Sequence, residues 1–379
     1  MYKTFRKAIL LLLSLSMLLG ASCGTDNGDE NINMTSAELV KDMGNGWNLG
    51  NTMEAVADWL GTNATARSYE TAWGQPYTTK EMIDGLKSAG IDSVRIPVAW
   101  SNLMSDDGKY TIAEGYIKRV DEIVSYVLDN DMYAVVNIHW DGGWWEDFGS
   151  ADTAVSDAAW AKYTAIWTQL SEHYKDYSHK LILESANEEL GNSTKGKSKD
   201  DESYARVTAI NQKFVDIVRA SGSKNADRYL LIAGYNTDIN MTCSDKYKMP
   251  TDTIESRLII SVHYYTPSTY CIANKVDNSW GFKESWGGDA DKAEMRKYFE
   301  KMKKFTDAGY GVIIGEYGVT EMEQADGSLA LKEGAADFIA SVKALSDEFG
   351  YCPMLWDTGA FYDRNAGSFK DDAIAEIFK

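Results

Sequence analysis

The sequence predicts an α/β chain of the (β/α)8, or TIM-barrel, class, folded as a single domain over residues 35–379. Three observations predict it. Eight short runs have strand character, amphipathic helical stretches fill the gaps between them, and polar residues collect where the runs stop. Strictly alternating strands and helices argue for a parallel sheet, and a count of eight favours a closed barrel over an open doubly wound sheet. No glycine-rich phosphate fingerprint of the open class is present.

The strand-like runs are GWNLGN at 46–51, SVRIPV at 93–98, YAVVNI at 133–138, LILESA at 181–186, YLLIAG at 229–234, LIISVH at 258–263, GVIIGE at 311–316 and CPMLWD at 352–357. Buried parallel strands read as near-continuous Val/Ile/Leu runs, as these do. Helical periodicity follows in KEMIDGLKSAG, with Gly90 as its stop, and in IKRVDEIVSYVLDN. It continues in WAKYTAIWTQLSEHY, YARVTAINQKFVDIVRA, AEMRKYFEKMKKFTDAG and AADFIASVKALSDEFG.

Ahead of the domain, Lys3, Arg6 and Lys7 precede an apolar stretch, ILLLLSLSMLLG, of signal-peptide length. Ala21 and Ser22 lead into Cys23, an arrangement that resembles a bacterial lipoprotein box. The expectation is a leader over residues 1–22, a lipid anchor on Cys23, and an acidic, flexible tether over 23–34. An exported protein is expected, held as an outer-membrane lipoprotein facing periplasm or exterior, or otherwise secreted. Cys243, Cys271 and Cys352 then remain, without metal-ligand spacing, and a Cys243–Cys271 disulfide is the one pairing considered.

Losing the leader removes three positive charges, so the net charge of −19 becomes −22. Such a chain is a poor partner for nucleic acid or anionic membrane surfaces. Twelve Trp and twenty-two Tyr favour sugar rings, whose C–H faces stack on aromatic planes. Most of these aromatics are nevertheless expected in the core.

The strand ends carry the chemistry. Asn48 and Asn51, Arg95, His139, Asn187 with Glu188, His263 with Tyr265, Glu316 and Trp356 come from seven of the eight runs. Each alone has an ordinary structural explanation; their joint placement at one mouth is the signal. Glutamates on two strands facing one mouth are the equipment of glycoside hydrolysis. His173 and His179 fall around a helix end, where a surface role is expected. Glu184, inside its strand, is expected as the buried partner of a basic group.

The blocks GWNLGNT, TAWGQP, SVRIPVAW, NIHWDGGW, SANEEL, HYYTP, IIGEYG and LWDTG together resemble glycoside hydrolase family 5, from about Trp47 to Trp356. The opening blocks are most similar to its subfamily 4, the endo-β-1,4-glucanases and xyloglucanases. The resemblance implies a (β/α)8 barrel and a retaining mechanism that needs no metal or other cofactor. It makes Glu188 the acid/base and Glu316 the nucleophile, with Arg95 and Tyr265 expected to stabilise the Glu316 carboxylate. His139 and His263 become substrate-binding or carboxylate-orienting groups, Asn187 a 2-hydroxyl ligand, and Trp356 the sugar platform. Asn48 and Asn51 join this set.

Two positions depart from the family pattern. Trp140 stands where a second histidine is common and offers a stacking face instead, and Glu189 stands where proline commonly follows the acid/base. In the loop WDGGWWEDFG, Trp140, Trp144 and Trp145 are candidates for the glycone side of a cleft, and Trp280 and Trp286 for the aglycone side. The expected substrate is a β-1,4-glucan: cellulose chains, mixed-linkage β-glucan or xyloglucan, attacked by a monomer. Two alternatives are a β-mannanase of the same architecture and a lipoprotein that binds glycans without cutting them.

Overall fold

The computed structural model describes residues 33–275, 280–324 and 326–379. The predicted leader, Cys23 and most of the predicted tether lie outside them. Among the described residues no helix is long and apolar enough to cross a membrane.

Eight parallel strands close into a barrel: β1 (Gly46–Leu49), β2 (Ser93–Ile96), β3 (Tyr133–Asn137), β4 (Leu181–Glu184), β5 (Leu230–Asp238), β6 (Leu258–Tyr264), β7 (Gly311–Tyr317) and β8 (Cys352–Asp357). β1 pairs with β2 on one side and β8 on the other. All eight predicted runs are strands. β5 runs on to Asp238 through an irregularity at Asn236 and Thr237, both at positive φ.

The predicted helices are present. Those at Lys80–Ser88, Glu114–Asp129, Thr153–Tyr174, Asp200–Ala220 and Ala335–Phe349 flank the barrel, and the fifth predicted stretch divides into Asp289–Lys301 and Lys303–Thr306. Their apolar stripes pack against the outward faces of the strands in one continuous core.

A second apolar cluster fills the barrel floor. Tyr133, Val135, Ile182, Leu231, Ile259, Ile313, Cys352 and Met354 point inward from alternate strand positions and meet Leu39, Val40 and Met43 of a short helix, Ser36–Asp42. That helix, absent from the sequence expectation, begins with Thr35 as N-cap and Glu38 completing the capping box. Ser36 fixes it beneath the strands: its N–H donates to the Ser256 carbonyl and its hydroxyl accepts from Gly311 N–H. The floor is therefore sealed, and the barrel opens only where the strands end.

Cys243, Cys271 and Cys352 are all free, which corrects the pairing considered above. Cys243 packs its sulfur against Met302, while Cys271 is buried at the end of another short helix. His179 is also not a surface residue: it is buried and bonded to Asp227, whereas His173 pairs with Asp121 at the surface.

Candidate active site

Above the apolar floor the barrel interior turns polar, and Arg95 is its centre. Its side chain is fully buried, reached from β2 by the same alternation that points Ser93 inward. Nε donates to Glu184 at 2.6 Å, Nη1 to Asn48 at 3.0 Å and Glu316 at 2.8 Å, and Nη2 to Asn187 at 2.8 Å. Glu184 is thus the buried partner of a basic group, with Ser261 donating to its second oxygen at 3.0 Å. Asn48 passes the order on through Nδ2 to the carbonyls of Gly315 and Met354. One guanidinium ties β1, β4 and β7 together and satisfies every acceptor around it.

Glu316 reaches the mouth because β7 bulges. Val262 pairs with Ile314 but His263 pairs with Glu316, so Gly315 is an extra residue in the ladder. Without it, strict alternation would send Glu316 outward behind Ile314. Position 315 must also be small: a Cβ there would lie 2.7 Å from Ser261 Oγ and 3.1 Å from His263 Nε2. The Glu316 carboxylate accepts from Arg95 and, on its other oxygen, from the Tyr265 hydroxyl at 3.0 Å.

Glu188 lies across the mouth on the turn after β4. Its side chain is 47 % exposed where that of Glu316 is 6 % exposed, so only Glu188 is open to a leaving group arriving from solvent. His263 Nδ1 stands between them, 2.7 Å from Glu188 Oε1 and 3.5 Å from Glu316 Oε2. One carboxyl oxygen of each of Glu188 and Glu316 and a ring nitrogen of His263 lie within 4.8 Å of one another.

Electrostatics separates the two carboxyls. Although half of its surface is open, the walls of the mouth around Glu188 desolvate its carboxyl and raise its pKa, opposed by the charge of Arg95. Burial leaves the pKa of Glu316 raised as well, with the neighbouring Glu188 adding to the rise, while Arg95 opposes it by its charge and by direct hydrogen bonding. The ion pair with Arg95 and the hydrogen bond from Tyr265 fall on Glu316 alone and favour its carboxylate form, and a charge there favours the proton on Glu188. Burial presses His263 down to about 4, so its ring is neutral. Its buried Nε2 has no partner; a bare lone pair there costs less than an unmatched N–H, which places the proton on Nδ1, donated to Glu188.

The other predicted residues divide. His139 is buried beside Asn137 and lies parallel to Trp356, ring centroids 5.6 Å apart, which sets the Trp356 indole as a wall of the mouth. Gly50 permits this, since a Cβ there would lie 3.1 Å from that indole. Asn51, at φ 59°, turns the chain away at the end of β1 and is fixed through its backbone N–H to Glu54. Trp140 is exposed, as expected of a stacking face.

Trp145 and Trp286 are corrections. Trp145 is buried, its indole N–H donating to the carbonyls of His139 and Trp140, and Trp286 packs on Phe338. Trp144 stacks on Trp145 and donates to Asp141. Gly142 and Gly143, both at positive φ, fold this loop back on itself, so of its three tryptophans Trp140 alone projects. Trp280 is exposed, as a binding residue must be. Sequence reasoning missed Ser261 and Asn137, polar residues inside apolar runs whose inward register is the only available signal.

A closed β/α barrel whose strand ends bring two carboxyl groups within 4.8 Å over a buried guanidinium defines the class of retaining-type glycoside hydrolase barrels. The family model described as "Cellulase (glycosyl hydrolase family 5)" matches residues 57–361. The chain belongs to glycoside hydrolase family 5. It is 33 % identical over 362 residues to a xyloglucan-specific endo-β-1,4-glucanase of Bacteroides ovatus, covering 91 % of this chain and 70 % of that protein. Endoglucanase A of Paenibacillus barcinonensis is 31 % identical, covering 95 % and 92 %. Among solved structures, a subfamily 4 broad-specificity endoglucanase from an uncultured bovine rumen ciliate superposes with a TM-score of 0.78 at 33 % identity, covering 92 % of this chain and 98 % of that one.

Proposed function

We propose that this protein is a retaining endo-β-1,4-glucanase that cleaves cellulose chains, mixed-linkage β-glucan or xyloglucan by double displacement. The observation that carries the reading is the carboxyl separation: oxygens of Glu188 and Glu316 within 4.8 Å suit direct attack on the anomeric carbon. An inverting pair stands roughly 6.5–9.5 Å apart to admit a water between. Relatives named as endoglucanases, a xyloglucanase and a lichenase support the substrate class.

In the first step Glu316 attacks the anomeric carbon as its carboxylate, while Glu188 gives its proton to the departing glycosidic oxygen. The Glu188 proton sits on Oε2, because Oε1 already accepts from His263. A covalent glycosyl–Glu316 ester results. In the second step Glu188, now ionised, takes a proton from water, which displaces Glu316 and leaves a product of retained β configuration. Asn187, oriented by Arg95, holds the 2-hydroxyl, and Trp356 supports the sugar beside the bond being cut.

Export, lipidation at Cys23 after a leader over residues 1–22, an acidic tether over 23–34 and action as a monomer complete the proposal; the leader charge pattern and small residues before Cys23 support the first two. The test is sugar release from carboxymethylcellulose, mixed-linkage glucan, xyloglucan and mannan by the chain and its Glu316→Gln variant. Release from the glucans, lost in the variant, is expected. Release from mannan alone, or glucan release that survives the substitution, overturns the reading.

A further inference from the structure

β5 departs from strand geometry where it reaches the mouth. Asn236 and Thr237 lie at φ 50° and 48°, and Thr237 is β-branched and buried. A β-branched residue in that region is strained, and such strain persists only where its surroundings over-determine it. Between the pairs Ala233–Ser261 and Asp238–His263, β5 carries four residues where β6 carries one. The excess is a bulge, a device that re-aims what lies beside it.

The bulge clasps the turn that carries the acid. Glu188 rides an irregular segment, residues 185–199, with neither helix nor strand of its own between β4 and the helix Asp200–Ala220. Just before Glu188, Asn187 ties this segment to Arg95. Just after it, Asn236 N–H donates to the Leu190 carbonyl at 2.7 Å, and Asn236 Oδ1 accepts from Asn192 N–H at 2.7 Å. Glu188 therefore lies between two anchors. Gly191 makes room for the second: at φ 154° it packs against Asn236, where a Cβ would come within 2.1 Å of Oδ1. Ser203 Oγ closes the frame, 3.3 Å from the Gly191 carbonyl and 2.8 Å from the Tyr235 hydroxyl.

The other end of the same bulge is pinned to the acid's partner. Asp238 pairs with His263, whose Nδ1 donates to Glu188. Asp238 also caps the helix Ile239–Thr242, accepting from Met241 N–H at 2.7 Å. The bulge thus runs from the strand position of His263 to the turn of Glu188, and fixes the acid relative to its own hydrogen-bond donor.

We propose that Asn236 is a positioning residue for the acid/base, holding the turn so that the Glu188 proton lies in line with the departing glycosidic oxygen. The proposal rests on the glucanase reading above. In the first step the proton leaves Glu188 Oε2 for the glycosidic oxygen as the bond from that oxygen to the anomeric carbon breaks and its electron pair passes to the oxygen. A leaving group acidic enough to depart as an anion does not need that proton, so a misplaced acid harms poor leaving groups selectively.

The test reads kcat/KM for aryl β-cellobiosides whose leaving groups run from 2,4-dinitrophenol to phenol, with the unfolding temperature recorded for each protein. Asn236→Gly keeps the left-handed backbone and removes only the side-chain clasp. It is expected to leave the dinitrophenyl substrate within about twofold and to lower the phenyl substrate about 10- to 100-fold. Asn236→Asp, which keeps the accepting oxygen, should restore most of that loss, and Gly191→Ala, which presses on the clasp from the other side, should reproduce it. Equal losses on both substrates, as a general loosening of the fold would give, or no loss on either, overturn the proposal. Failure of the unsubstituted chain to release any aryl group overturns the glucanase reading itself, a result distinct from both.

Discussion

Arg95→Met is the substitution that most fully tests how the site is held. Methionine keeps the unbranched apolar stem but removes the guanidinium, its charge and all four hydrogen bonds, to Glu184, Asn48, Glu316 and Asn187. Glu184 and Glu316 would then share no cation, and both are buried. Breaking a buried ion pair from one side costs roughly 3–5 kcal/mol, and the two orphaned amide oxygens add about 1 kcal/mol or more each. The loss at pH 7 is therefore expected on the order of 5–7 kcal/mol. It should shrink toward pH 4, where the carboxyls can be protonated, and grow as pH rises and they must carry charge alone. Denaturant unfolding at pH 4, 5.5 and 7 measures it. The same substitution should move the acidic limb of the pH–rate profile upward, because Glu316 loses the cation that opposes its burial. A variant within about 0.5 kcal/mol of the parent at pH 7, with an unmoved acidic limb, would refute the assignment of Arg95 as the hub.

Three further outcomes are expected. Gly315→Ala should lower kcat about 10- to 100-fold with little change in KM, since its Cβ would displace His263 and Ser261 beneath the carboxyl pair; equal kcat in the two proteins would remove the bulge from the mechanism. Trp356→Ala should lower kcat/KM on glucan by about 10- to 100-fold, and unchanged kinetics would take the indole out of the cleft. Glu189, buried beside Glu188 and pushed up to about 8, stays protonated in the fold at pH values where the unfolded chain is ionised. Its stabilising contribution is complete below about pH 4.5 and is lost as pH rises toward 8, so Glu189→Gln should gain on the parent by a few kcal/mol across that window; parallel stability curves would contradict it.

The strands were legible because a barrel strand buried on both faces leaves an apolar run with no polar interruption, and their chemistry was legible because the polar residues stand where each run stops. Glu184 shows the reason: a charge inside a Val/Ile/Leu run survives only when paired, so it announced a basic partner, which the fold supplies as Arg95. Orientation was not legible. Trp140 and Trp145 sit five residues apart in one aromatic loop, yet the positive-φ turns at Gly142 and Gly143 send one to solvent and the other to the core. The bulge at Gly315 is equally silent, because alternation counted along GVIIGE points Glu316 outward. The floor helix escaped notice because its seven residues are too few to show periodicity, and its stability comes from Leu39 and Val40 sealing the barrel.

The central claim is that Glu316 attacks the sugar. Reacting the protein with a 2-deoxy-2-fluoro-β-cellobioside carrying a good leaving group, which slows breakdown of the ester, and mapping the label by peptide mass spectrometry tests it directly. The account predicts one cellobiosyl adduct on the peptide containing Glu316, with β-configured sugar as the first product of the normal reaction. An adduct on any other residue, or a first product of α configuration, would contradict it.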